Sequence, residues 1–190
     1  SLVTSEALFG KTVTGSSWIE RNQDVATIYD VMYSPDGDLY TKNDSFILYS
    51  QNNGETFTVI DWPNGTFPPF YGTNLYILDD DVLFINDFLG HCYYSINNGQ
   101  SWQWGGQLFL SYETVARMVD NFIYIADPSF IGAGIIARID VNTGQNEIVD
   151  ILRLAIPYDP IYGQIIEDGT VYMLGIDPSG PESEYHLLQY

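Results

Sequence analysis

One cysteine, two lysines and four arginines are all that this 190-residue chain holds of three residue types on which many functions rest. A lone Cys92 cannot close an internal disulfide. It lies in an apolar strand pattern beside Tyr93 and Tyr94, which reads as a small buried residue and not a nucleophile. Six basic residues against 25 acidic ones give a net charge of −19. Such a field repels phosphate backbones and anionic lipid, so nucleic acid and membrane insertion are excluded as expected partners. The same field attracts cations and keeps a tyrosine-rich surface soluble. The longest apolar run, Phe130 to Ala137, is too short to span a bilayer. Helical periodicity never extends beyond about one turn. A Gly-rich phosphate loop and a Gly-x-Ser-x-Gly elbow are both missing. With only His91 and His186 beside one cysteine, a His/Cys metal site is excluded by count. The chain opens at Ser1 without methionine, which reads as a processed form or a piece of a larger chain, with 1–10 as an arm or linker.

Aromatic residues are plentiful. Fifteen tyrosines, ten phenylalanines and four tryptophans, within 45% hydrophobic content, point to sheet and to one well-filled domain over 11–190. Residues 50–57 (Ser-Gln-Asn-Asn-Gly-Glu-Thr-Phe) and 95–102 (Ser-Ile-Asn-Asn-Gly-Gln-Ser-Trp) write one turn twice, 45 positions apart. A third copy, Asp140 to Glu147, keeps Asn142 and Gly144. A second motif has the same spacing: Asp36-Gly-Asp-Leu-Tyr40, Asp80-Asp-Val-Leu-Phe84, Asp120-Asn-Phe-Ile-Tyr124 and Asp168-Gly-Thr-Val-Tyr172. Asp followed by a turn-prone residue and then alternating apolar positions is a tight hairpin feeding a strand.

A period of 40–50 residues built from short strands predicts an all-β chain folded as a small β-propeller. Four blades of four antiparallel strands are expected over about 25–60, 70–105, 110–152 and 160–190. The last unit lacks its fourth strand. Gly15-Ser-Ser-Trp18 matches the second half of the repeated turn, so 11–20 is expected to complete the C-terminal blade and leave no open edge.

The turn at 50–57 and 95–102 resembles the Asp-box of sialidase-type (BNR-repeat) propellers, Ser-x-Asp-x-Gly-x-Thr-Trp. Ser50, Gly54 and Thr56, with Ser95, Gly99 and Trp102, match outright, while Asn52 and Asn97 replace the aspartate and Phe57 replaces one tryptophan. The resemblance implies a structural job for these residues and for Asn142 and Gly144: amide side chains hold backbone N–H groups and glycine supplies φ > 0. Function does not follow, because the fold serves many. A sialidase needs three converging arginines and a Phe/Tyr-Arg-Ile-Pro motif, and this chain offers only Arg21, Arg117, Arg138 and Arg153 without the motif.

Two sets of loop residues recur on the opposite side of the expected blades. Asp44, Asp87, Asp127 and Asp177 each follow a hairpin aspartate by seven to nine residues. Tyr29, Tyr71, Tyr112 and Tyr162 stand near the starts of the first strands. Carboxylates and tyrosines converging on one face suit sugar hydroxyls, or a Ca²⁺ ion if four carboxylates point inward. The competing reading has each aspartate capping its own loop and each tyrosine filling the channel. Trp62, Phe67, Phe70 and Tyr158, on Pro-rich connections, are the expected exposed aromatic patch. Trp104, two residues beyond Trp102, is expected to be buried.

These features point to a non-catalytic binding module at a cell surface, outside cells or on a virion, recognising a glycan or a surface protein. A structural module of a larger virion, fibre or surface complex is the first alternative. A glycoside hydrolase using two of the carboxylates is the second.

Overall fold

A computed structural model describes residues 9–10, 19–20, 30–42, 46–63, 73–87, 89–108, 114–127, 134–152, 159–166, 168–177 and 184–189. Seventeen strands fill most of them, and no α-helix occurs among the described residues. The strands follow the repeat. Blade 1 comprises β3 (Asp30–Tyr33), β4 (Leu39–Lys42), β5 (Phe46–Ser50) and β6 (Thr58–Asp61). Blade 2 comprises β7 (Asn74–Asp79), β8 (Val82–Asn86), β9 (His91–Ser95) and β10 (Gln103–Gln107). Blade 3 comprises β11 (Val115–Val119), β12 (Phe122–Asp127), β13 (Gly134–Asp140) and β14 (Asn146–Leu152). Each is an antiparallel meander of four strands in chain order. A fourth sheet has three strands, β15 (Asp159–Ile165), β16 (Val171–Asp177) and β17 (Glu184–Gln189).

The first strands of neighbouring blades pack side by side, β7 beside β11 and β11 beside β15. Side chains alternate between the two faces of each sheet. On blade 2, Leu75, Leu83 and Ile85 meet Tyr40, Ile47, Ile60 and Trp62 of blade 1. From the other face, Phe84, Cys92 and Tyr94 meet Ile123, Ile125 and Ile139 of blade 3. The core is thus a series of inter-blade layers, as a stacked repeat requires. Burial pushes the Cys92 thiol up to about 12, so it is an inert packing residue at neutral pH.

Of the expected closing segment 11–20, only Ile19 and Glu20 are among the described residues. Ile19–Glu20 (β2) pairs with Phe9–Gly10 (β1) in a separate two-stranded sheet. Among the described residues β17 pairs only with β16.

The two matched turns have one geometry. Ser50 Oγ accepts from Gly54 N at 2.8 Å, Asn52 Oδ1 accepts from Thr56 N at 2.9 Å, and Asn52 Nδ2 donates to Thr56 Oγ1 at 2.9 Å. Ser95, Asn97, Gly99 and Ser101 repeat these bonds at 2.8–2.9 Å. The third turn departs from the expected copy. Register places Ile139 opposite Ile123, as Ser95 lies opposite Leu83, so Asp140 stands one residue beyond the serine position. Here Asp140 does the work: its carboxylate accepts from Asn142 N at 2.9 Å and its carbonyl from Gly144 N at 2.8 Å. Asn142 is exposed and does not take the role of Asn52 and Asn97, while Gly144 keeps their left-handed glycine, at φ 70°. Arg138 and Glu147 enclose as many residues as Tyr94 and Gln103, but Ile139 also pairs with Asn146, so the unpaired turn is only 140–145.

These turns also latch blades together. Tyr40 of blade 1, fully buried, donates to Asn98 Oδ1 of the blade 2 turn at 2.8 Å. Trp102 Nε1 donates to the Asp61 carbonyl of blade 1 at 2.9 Å. Asn146 Nδ2, after the blade 3 turn, donates to the Gly105 carbonyl of blade 2 at 2.8 Å. The blade 2 and blade 3 turns thus both reach back to the blade before.

Buried hydroxyls of this kind make stability sensitive to alkali. Desolvation raises Tyr40 and Tyr76 well above the ordinary tyrosine range and pushes Tyr49 up to about 12. Because the folded values are raised, their contribution is intact below about pH 10 and is lost as pH climbs through about 12. Melting curves by circular dichroism should show a steep loss of Tm starting near pH 10, less steep in Tyr40→Phe. A flat Tm from pH 9 to 12 would refute this.

Candidate functional site

An aromatic cluster sits on the outer half of blade 2. Cross-strand pairing sets Trp104 of β10 against Tyr93 of β9. Their ring centroids lie 5.0 Å apart, edge to face, and the His91 ring lies 5.5 Å from Trp104. Trp104 is 50% exposed. His91 is held from behind by a buried carboxylate, with Nδ1 2.9 Å from Asp87 Oδ2. Asp87 is itself fixed, because its Oδ1 accepts from Leu89 N at 2.9 Å and His91 N at 2.8 Å. A flat indole is thus displayed beside an imidazole locked in orientation.

The exposure of Trp104 corrects the expectation that it is buried. Trp102 and Trp104 do share a face of the chain, but Trp102 lies against Asp61 of the blade before. Two residues on, roughly 6.6 Å along a strand, that neighbour no longer covers the sheet. The position is exposed in every described blade: Val59 stands opposite Leu48 and Ile148 opposite Ala137, as Trp104 stands opposite Tyr93. Their exposures are 54% and 52%. Among these three described strands, only that of blade 2 puts an aromatic ring there. Aligning the three outer strands by register would have revealed this; distance from Trp102 could not. Closer to the turn, a groove of about 390 Å³ opens between blades 1 and 2, bordered by Tyr49, Val59, Trp62, Asn98, Gln100 and Trp102.

Trp62 corrects the sequence reading in the opposite sense. It is 5% exposed and packs with Tyr40, Ile60 and Leu75 in the layer between blades 1 and 2. Its ring closes that layer where the chain leaves β6, and so cannot belong to an exposed patch. Asp87 and Asp127 are also buried, at 1% and 0% exposure. Asp87 caps its own loop, while Asp127 accepts from Thr114 Oγ1 at 3.3 Å. The two carboxylates follow the inward-facing residues Ile85 and Ile125 into separate inter-blade layers. No group of three His, Cys, Asp or Glu side chains able to hold a metal occurs among the described residues. For Tyr162 and Asp177 only the strand backbone is described. Tyr29, Tyr71, Tyr112, Phe67, Phe70, Tyr158 and Asp44 lie outside the described residues. Nor do the described residues include a helix long and apolar enough to cross a membrane.

No family model matches the sequence, and no curated protein matches it. Solved structures do. The extracellular domain of a putative one-component system from B. thetaiotaomicron superposes with a TM-score of 0.50 at 14% identity, over 97% of this chain and 29% of that one. The GH74 xyloglucanase from Xanthomonas campestris gives 0.49 at 16% identity, over 83% and 28%, respectively. YCF48 from Cyanidioschyzon merolae gives 0.49 at 14%, over 85% and 56%. The chain therefore spans less than a third of the first two and just over half of the third. The first of these likenesses, at 14% identity, concerns the fold alone. With the blade-by-blade pairing above, it defines the class: the chain is a β-propeller.

Proposed function

We propose that this chain is a non-catalytic recognition module that binds a neutral glycan at a cell surface, virion or other extracellular site. The observation that carries the reading is the half-exposed Trp104, flanked by Tyr93 and by a His91 anchored on buried Asp87. An exposed, rigid indole offers a large stacking area at little entropic cost, and the imidazole adds a polar edge that fixes orientation. Acidic surface charge favours neutral or cationic ligands over anionic ones. The two turns that resemble Asp-boxes in sequence share one lattice of hydrogen bonds, which supplies the rigid scaffold such a site needs.

A glycan array with the intact chain tests this, run with the wild type and with Trp104→Ala. The expected result is binding to a restricted set of uncharged glycans that Trp104→Ala abolishes while the melting temperature holds. A blank array would overturn the reading. It would then favour an assembly role, which the exposed Val59 and Ile148 at the same outer-strand position support; self-association measured by light scattering would test that.

A further inference from the structure

The outer edge of blade 1 differs from the outer edges of the next two blades. Each blade ends in a strand, β6, β10 or β14, that has no strand on its far side among the described residues. Two of these edges are broken by a bulge. Gly105 is the extra residue of β10, between Trp104 opposite Tyr93 and Gly106 opposite Cys92. Val149 is the extra residue of β14, between Ile148 opposite Ala137 and Asp150 opposite Ile136. A bulge twists an edge and spoils it as a template for another chain. The β6 strand has none: Thr58 to Asp61 pair one for one with Tyr49 to Phe46.

The backbone of this edge faces outward. The Asp61 carbonyl turns away from β5 and accepts from Trp102 Nε1 at 2.9 Å. Backbone groups alternate sides along an antiparallel strand, so Val59, two residues earlier, points its N–H and C=O the same way. The blade 3 hairpin has the same phase: Asp140 N donates to the Gln145 carbonyl, which leaves Ile148, at the register place of Val59, facing outward. Among the described residues neither Val59 backbone group has a partner. Thr58, Val59 and Asp61 are all exposed. Beside them runs the groove of about 390 Å³ between blades 1 and 2. Every residue from Thr58 to Trp62 borders it, whichever sheet face the side chain takes, so the groove follows the strand edge. Asn98, Gln100 and Trp102 form its other wall. One acid, Asp61, and no base lines it, in a chain of net charge −19.

We propose that this groove takes an extended basic peptide of a partner protein, which adds to β6 as a further strand of blade 1. Val59 N–H and C=O and Asp61 N–H hold its backbone, and Trp102, bonded to the Asp61 carbonyl, closes one end. Main-chain bonds supply the affinity and alternate side chains the specificity. Side chains on the groove side meet aromatic Tyr49 and Trp102 beside acidic Asp61, a setting that suits lysine or arginine. A second copy of the chain is the poorer occupant, because two molecules of charge −19 repel. The edge lies on a different blade from Trp104 and is independent of glycan recognition.

The test is an NMR titration of the isotope-labelled chain with a heptapeptide alternating lysine and valine, which detects even millimolar binding. The Val59 and Asp61 amide resonances should move, and that of Ile148 should stay. Methylating the peptide nitrogens that face β6 should weaken binding about tenfold, the loss of one or two hydrogen bonds. Val59→Pro should do the same, because its N–H lies outside the β5–β6 ladder and edge strands accept proline. The methylated peptide tests the same bonds without touching the fold. A peptide alternating glutamate and valine should bind about tenfold more weakly or worse. No movement at Val59 with the lysine peptide would overturn the proposal. So would undiminished binding of the methylated peptide, of the glutamate peptide, or by a folded Val59→Pro variant. A dimer seen by light scattering and abolished by Val59→Pro would give the edge to a second copy and overturn it too.

Discussion

Gly99→Ala is expected to lower the melting temperature by roughly 4–20 °C. Two independent costs add at this position. Gly99 has φ 75°, where a Cβ costs about 1–2 kcal/mol. That Cβ would also lie 2.3 Å from Ile60 Cγ2 of blade 1. Ile60 is β-branched and 6% exposed, so it cannot swing aside, and overpacking of this kind costs about 1–3 kcal/mol. The total is about 2–5 kcal/mol, at about 2–4 °C per kcal/mol for a chain of this size. Gly37→Ala isolates the backbone part, since Gly37 has φ 91° with nothing within 4 Å of its Cβ. Differential scanning calorimetry of both variants decides the matter. If Gly99→Ala melts with Gly37→Ala, the turn does not press on blade 1.

Trp104→Ala is expected to reduce glycan affinity by about 30-fold or more, equivalent to about 2 kcal/mol, the scale of an interface hot spot. Its stability should fall by less than about 1 kcal/mol, because half of the ring is already in water. Trp62→Ala should behave in the opposite way. Removing a buried indole costs about 3–5 kcal/mol, so any binding it loses is lost through the fold. His91→Ala should fall between, weakening binding several-fold by removing the polar edge while keeping the indole. Titration calorimetry beside thermal melting separates the three. Wild-type affinity in Trp104→Ala would reject the aromatic cluster as the site.

The contrast between these tryptophans shows what the sequence could and could not reveal. The blades were legible, because turn chemistry is local: Asp-Gly and Asn-Gly pairs need particular backbone angles, and their spacing counts the strands between them. Ser50, Asn52, Ser95 and Asn97 were legible for the same reason. The third turn was misaligned by one residue, since Asn142 and Gly144 matched by type while the strand register moved the role to Asp140. Exposure was not legible. Whether an aromatic lies in a layer or beyond it depends on how far the neighbouring blade extends, so Trp62 was expected on the surface and Trp104 in the core. The aspartates were found by their repeat, but Asp87 and Asp127 turn into neighbouring layers, which only packing decides.

The latches also have a direction. Asn98 and Trp102 grip blade 1 from blade 2, and Asn146 grips blade 2 from blade 3. A ribosome releases this chain in the same order, so every blade emerges before the turn that fastens it. Blade 1 can be fastened only once Trp102, 41 residues past Asp61, has cleared the exit tunnel. At about 5–20 residues per second, each sheet waits roughly 2–8 s with one face uncovered. Protease protection of Tyr40 in stalled nascent chains should therefore arrive one repeat late, and protection gained before the blade 2 turn emerges would show that the first sheet stands alone.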